Sequence, residues 1–289
     1  MLVVDILRWP LWWAAAAAIL LPFLVPTAQS LAVLPDGRRV YILKNDILTH
    51  NAVGDFIVDR VEELAKAAIA DKGAFSMSIG SGTTVSPLAA LADREEDGGV
   101  DLTKVHVFFG NERTEGESAG KCATSGAAVF AALGIPSSNL HLVPAVPAEE
   151  AAKMYEAEMR GMPREVVGVC EGTGLPSLDL CLLGSGADGH CASLYPNSKQ
   201  VVVSPGASRA YLPAEGKGGI TITMDAINSA RNVILSAGKA SQADMVRKCL
   251  NWSNAANNHA WPAGMISTSE GAVVEWILTQ ESAADLPAL

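Results

Sequence analysis

Two short apolar runs, Ala74 to Ile79 and Leu178 to Leu183, end abruptly in glycine-rich loops, Gly80-Ser81-Gly82-Thr83-Thr84 and Gly184-Ser185-Gly186. A continuous apolar run of that length, bounded by glycine, reads as a strand buried on both faces. Buried strands of this kind belong to parallel sheets, and a parallel sheet needs helices to cover it. The intervening pattern agrees. Asp46 to Lys72 is a long helix with Val53, Ile57, Val61 and Leu64 at three- and four-residue spacing. A second helix follows the Gly80 to Thr84 loop through Leu91, and Asp93 to Gly99 reads as a charged surface loop. Val40 to Leu43, Val105 to Phe109, His141 to Val143, Ile220 to Met224, Val233 to Leu235 and Trp276 to Leu278 read as further strands. Gly126 to Leu133, Pro147 to Met159, Asp225 to Ala230 and Gln242 to Leu250 read as further helices. Strands alternating with helices predict an α/β fold: a mostly parallel sheet flanked by helices on both faces. With no internal repeat and no Pro/Gly linker, residues 31–289 read as one domain. Ligands in such folds bind where loops leave the carboxyl ends of the strands.

Composition narrows the partner. The formal net charge of -10 argues against nucleic acid, whose phosphate backbone recruits basic faces. It leaves room for a small anion, because a few cations and backbone N–H groups can hold one phosphate. Residues 1–30 differ from the rest. Trp9 to Pro26 is almost wholly apolar, Arg8 precedes it, and Ala28-Gln29-Ser30 has the small-x-small form of a cleavage site. This pattern predicts a hydrophobic N-terminal leader, a signal peptide or an uncleaved membrane anchor, and so a secretory-pathway lumen or a compartment reached through it. Membrane contact would come only through that leader. The five cysteines include no C-x-x-C pair, and His50, His141 and His259 have no ligand spacing, so no metal and no cofactor is predicted; His106, within Val105 to Phe109, reads as core.

The segment most able to do chemistry runs from Asp179 to Pro196. After its apolar strand come Gly184, Gly186 and Gly189, which let the backbone turn tightly and approach a ligand. Asp188 and His190 follow two residues apart. Imidazole titrates near neutrality, so His190 can take a proton from water, and Asp188 can fix its tautomer. The same glycines fit G-x-G-x-x-G, but a dinucleotide reading fails. Pro196 interrupts any long helix after them, the ribose-binding acid is missing at its distance, and Asp188 would sit beside a pyrophosphate.

Gly184 to Pro196, reading Gly-Ser-Gly-Ala-Asp-Gly-His-Cys-Ala-Ser-Leu-Tyr-Pro, resembles the signature of the 6-phosphogluconolactonase family. Related amino-sugar-phosphate isomerases and deaminases share Asp-Gly-His but continue differently; Ser193-Leu194-Tyr195-Pro196 sides with the lactonases. Gly80 to Thr84 is similar to the family's phosphate loop, Asn111-Glu112-Arg113 to its Asp-Glu-Arg, and Pro147 to Tyr155 to its next helix. Ile220 to Thr223, Ile227 to Ala230 and Trp276 follow in family order, so the likeness covers about residues 45–285. The resemblance implies a sugar-phosphate isomerase/lactonase-like fold and hydrolysis of a small sugar-phosphate lactone, 6-phospho-D-glucono-1,5-lactone, in the oxidative pentose phosphate pathway. His190 would be general base and Asp188 its partner. Gly80, Ser81, Gly82, Thr83, Thr84, Arg113, Gly186 and Lys239 would bind substrate. Asn111 replaces the family's Asp, Cys122-Ala123 its Ser-Asn, Gly219 an Arg for which Lys217 or Arg209 would have to substitute, and Thr279 an Asp. These departures keep two alternatives open: a sugar-phosphate binder that has lost catalysis, and an amino-sugar-phosphate isomerase or deaminase.

Overall fold

Leu180 and Leu182 belong to one apolar cluster of the folded chain and Cys181 and Leu183 to another. Successive residues of a strand point to opposite faces, so this alternation marks a sheet buried on both sides. In the computed structural model, residues 28–287 are described except 45–50, 98, 204–205, 207, 215, 217, 252–257 and 268–271. Its central sheet has the order β1-β2-β12-β11-β8-β3-β4. These strands are β1 (Ala28–Val33), β2 (Arg39–Leu43), β3 (Phe75–Ile79), β4 (Val105–Phe109), β8 (Leu180–Gly184), β11 (Asn232–Ala237) and β12 (Val273–Thr279). Every neighbouring pair is parallel except β1 with β2. The predicted mostly parallel α/β sheet is therefore what the chain forms.

Helix α1 (Ala52–Lys72) and helix α2 (Lys121–Ala132) cover one face. Helix α3 (Ala148–Gly161) covers the other, with the short helices α5 (Met224–Asn228) and α6 (Ala243–Cys249); α4 (Lys199–Val203) adds Val201 there. Asn51 starts α1 by accepting a hydrogen bond from Gly54 N–H, and Gly73 in the left-handed region (φ 89°) ends it. The start predicted at Asp46 falls partly outside the described residues. A small antiparallel sheet, β5 (Asn111–Arg113), β10 (Gly219–Ile222) and β9 (Tyr211–Ala214), branches from the end of β4. A two-residue hairpin, β6 (Gly168–Val169) with β7 (Pro176–Ser177), completes the strands.

The strand order creates the crevice. From β3 the chain crosses to β4 on one side, and the next strand of the sheet, β8, lies on the other side of β3. Loops leaving the carboxyl ends of β3 and β8 therefore diverge and leave a depression between them, where ligands of open α/β sheets bind. A β-carbon added at Gly184 would touch Thr84 Cγ2 at 3.4 Å, so the two glycine loops abut.

Several sequence expectations require correction. His141 to Val143 is not a strand: Leu140 makes one isolated bridge with Val107, and Pro144, which has no N–H to donate, follows at once. Residues 86–97 form a 3-10 helix, so the predicted charged loop is largely helical, tied to α1 by Arg94 at 2.7 Å from both Asp59 and Glu62. The leader was expected to reach residue 30, with a cleavage site at Ala28-Gln29-Ser30. Those residues instead pair with β2, Ala28 opposite Leu43 and Ser30 opposite Ile42, as the edge of the central sheet. Residues 1–27 of that expected leader lie outside the described residues.

Candidate active site

His190 and Asp188 meet directly. The imidazole Nδ1 is 2.6 Å from Asp188 Oδ1, and the same oxygen accepts the His190 backbone N–H at 3.2 Å. A carboxylate can only accept, so Nδ1 carries a proton, and in the neutral ring Nε2 keeps the lone pair. The His190 side chain is 32% exposed and that of Asp188 52%. Burial pushes the Asp188 carboxyl up, but its hydrogen bonds and charge interaction with His190 outweigh that, and it titrates below the usual carboxylate range. Tyr195 flanks the imidazole, with ring centroids 4.9 Å apart.

The turn carrying this pair is tightly held. Gly186 N–H donates to His190 O at 3.1 Å, and Gly189 N–H donates to Gly186 O at 3.0 Å. A β-carbon at Gly186 would fall 2.3 Å from His190 Nδ1 and 2.5 Å from Asp188 Oδ1, so only glycine leaves room for the pair above it. Gly186, expected among the substrate-binding groups, thus has its N–H engaged within the turn. Gly189 has φ +85°, and Trp261 packs against it, 2.7 Å from where a β-carbon would stand. Ala263 N–H closes the turn on Gly189 O at 2.9 Å, and Lys248 Nζ lies 4.5 Å over the Trp261 ring. Gln242 donates to Ser185 O at 2.6 Å while accepting Lys239 N–H at 2.8 Å. Lys239 therefore supports the His190 turn through its backbone.

A cleft of about 160 Å³ reaches this segment at Ser193, three residues after His190; His190 and Asp188 are not among its walls. Its walls include Ser81 from the loop after β3, Asn111 and Arg113 from β5, Lys121 from α2 and Ser193 from the loop after β8. Asn111 donates to Ser193 Oγ at 3.1 Å, and Ser193 N–H donates to Thr221 Oγ1 at 3.1 Å. The strand carrying Arg113 and the segment carrying His190 are thereby joined three residues from the imidazole. In the same cleft wall, the buried Glu112 carboxylate accepts Arg113 N–H, Cys122 N–H and Ala123 N–H, each at 2.8 Å. It caps the start of α2, and with burial as the larger cause it pushes the Cys122 thiol up to about 11.

The expected site residues are only partly brought together. Ser81 and Arg113 share the cleft. Thr84 is buried against Gly184, and Gly82 adopts φ +82° at the start of a three-residue 3-10 turn, so the α-helix expected after the loop is replaced by 3-10 turns. A β-carbon added at Gly80 would lie 3.7 Å from Asn111 Oδ1, against the same wall, and Thr83 belongs to that turn. Lys239 does not line the cleft; it follows β11, on the opposite side of β8 from β3. Arg209 cannot stand in for an arginine at Gly219, because its Nε is bound to Glu156 at 3.2 Å, and Lys217 lies outside the described residues. Nor could Gly219 bear a side chain: a β-carbon would be 2.1 Å from Glu112 O across the β5–β10 pairing. Thr279 is buried and donates to Gly238 O at 3.2 Å, holding the loop before Lys239. Glu112 and Lys121 also belong to the site, and no local pattern marks them, since their places depend on how β5 meets α2.

Residues 49–276 match the family of glucosamine-6-phosphate isomerases and 6-phosphogluconolactonases. The chain is 30% identical over 237 residues to a probable 6-phosphogluconolactonase 3, chloroplastic, of Oryza sativa subsp. indica, covering 78% of this chain and 70% of the relative. It is also 30% identical over 244 residues to probable 6-phosphogluconolactonase 1 of Arabidopsis thaliana, covering 80% and 88%. Among solved structures, 6-phosphogluconolactonase from Plasmodium vivax superposes with a TM-score of 0.66 at 16% identity, covering 88% of this chain and 95% of that one. This chain therefore belongs to the glucosamine-6-phosphate isomerase/6-phosphogluconolactonase family. The relatives overturn the expected secretory destination, since the rice relative and one from Arabidopsis are named chloroplastic. Among the described residues, no helix is long and apolar enough to cross a membrane.

Proposed function

We propose that this chain hydrolyses 6-phospho-D-glucono-1,5-lactone to 6-phosphogluconate, with His190 as the general base. The reading rests on one observation above the rest: an Asp-oriented imidazole stands in the loop leaving β8 at the sheet's switch point, three residues from Ser193 in the wall of the Arg113 cleft. Nδ1–H is committed to Asp188, so Nε2 takes a proton from water as the water oxygen adds to the C1 carbonyl. The tetrahedral adduct then collapses, the C1–O bond to the ring oxygen breaks, and that oxygen is protonated as the ring opens. Asp188 stabilises the imidazolium that forms between these steps. Arg113 and Ser81 hold the phosphate, with the backbone of the Gly80 to Thr84 loop lining the approach. Lys239 contributes from the far side of β8 by supporting the turn. Water attacks so activated an ester without metal or cofactor, and residues 31–289 act as one catalytic unit.

Asn111 bears on the alternatives. Amino-sugar ring opening leans on further carboxylates, and Asn111 donates its amide to Ser193 at 3.1 Å where a carboxylate could not. The test is hydrolysis of freshly prepared lactone above its spontaneous rate. Saturable turnover is expected. Ammonia release from glucosamine 6-phosphate would transfer the chain to the deaminases, and binding of 6-phosphogluconate without turnover would make it a non-catalytic binder.

A further inference from the structure

We infer that Lys121 is the second cation of the phosphate subsite, and that it gives the Arg113 cleft its net positive charge. The inference rests on the lactonase reading only for the choice of substrate. A phosphate monoester carries about -1.5 to -2 at neutral pH. Arg113 alone cannot match it, because the buried Glu112 carboxylate lies in the same cleft wall and offsets one positive charge. The N-terminus of α2 offers no help to an anion, since Cys122 and Ala123 N–H both point at Glu112. Gly219, on the facing strand, has no room for any side chain, and Arg209 is paired with Glu156. Among the described residues, Lys121 is the other cation in the cleft wall.

Its place is also fixed. Gly120 N–H donates to Arg113 O at 2.9 Å, and Cys122 N–H donates to Glu112 at 2.8 Å. The residues on either side of Lys121 are thus both fastened to β5, and the lysine stands next to Arg113 whatever its own side chain does. Ser81 and Ser193 supply hydroxyls on the remaining walls. Two cations and two hydroxyls in one small cleft suit a tetrahedral dianion, and a sugar lacking phosphate would gain little from them.

The test compares Lys121→Ala and Lys121→Arg with the native chain. For Lys121→Ala, KM for the phosphorylated lactone should rise about tenfold, equivalent to about 1.4 kcal/mol. The ratio of kcat/KM for that substrate to kcat/KM for unphosphorylated glucono-1,5-lactone should fall by the same factor. Lys121→Arg should recover to within about threefold of native, because the charge is restored. Calorimetric titration with 6-phosphogluconate gives an arm independent of turnover, with the Kd of Lys121→Ala again weakened about tenfold. An unchanged Kd overturns the inference even if the native chain is an active lactonase. A weakened Kd in a chain that hydrolyses no lactone upholds Lys121 and sinks the lactonase reading.

Discussion

Replacing Gly186 by alanine should separate catalysis from folding. The added β-carbon would lie 2.3 Å from His190 Cε1 and Nδ1 and 2.5 Å from Asp188 Oδ1. Non-bonded carbon contacts settle near 3.5 Å, so the imidazole must move by roughly 1 Å. The displaced group is the one that must reach both Asp188 and the attacking water. A misplacement of this size costs on the order of a hundredfold in rate. Folding should scarcely notice. Gly186 has no positive φ, so alanine fits the backbone, and restriction of the unfolded chain returns about 0.4–1 kcal/mol. The colliding groups are partly exposed and can swing outward. The assay is kcat on fresh lactone with spontaneous hydrolysis subtracted, alongside a thermal melt. We expect about a hundredfold lower kcat and a Tm within about 4 °C of native. A kcat within about threefold of native would refute the argument that the His190–Asp188 contact is the working geometry.

Other outcomes follow from the same structure. Arg113→Ala should raise KM by about ten- to a hundredfold through loss of a charge-assisted contact, with a smaller effect on kcat; equal losses in kcat and kcat/KM, with KM unchanged, would show instead that it acts only in the transition state. Glu112→Ala should destabilise the fold by about 2–3 kcal/mol in urea titration, because two N–H groups at the start of α2 and that of Arg113 in β5 lose a buried carboxylate; a change under about 0.5 kcal/mol would contradict that role. His106 Nδ1 lies 3.1 Å from His141 Nε2, and His141 Nδ1 lies 2.8 Å from Glu158. Burial first, then the charges of His141 and Lys72, lower the His106 pKa to about 4. Its folded value is below its unfolded one, so the unfolded chain binds the extra proton. Stability should therefore be lost as pH falls from about 6.5 towards 4, and His106→Gln should flatten that slope by about one proton.

Much of this architecture was legible in the residues because its determinants are local. The run from Leu178 to Pro196 carries strand, turn and His–Asp pair within one segment, and α1 announces itself by apolar spacing. What escaped reading depends on contacts distant in sequence. Glu112 caps a helix that begins nine residues later, so α2 was expected to start at Gly126 instead of Lys121. Ala28 to Val33 merges with the apolar residues before it, and only its pairing with β2 reveals a strand. His141 to Val143 has a strand's composition, but Tyr155 donates to His141 O at 2.8 Å, where a ladder partner would otherwise stand. Lys121 is an ordinary surface lysine until β5 is fastened to its neighbours.

The account stands most directly on His190. Its replacement by alanine, with kcat measured on fresh 6-phospho-D-glucono-1,5-lactone and corrected for spontaneous opening, should lower turnover by about 10²- to 10⁴-fold while 6-phosphogluconate still binds. A His190→Ala chain that hydrolyses the lactone at the native rate would contradict it.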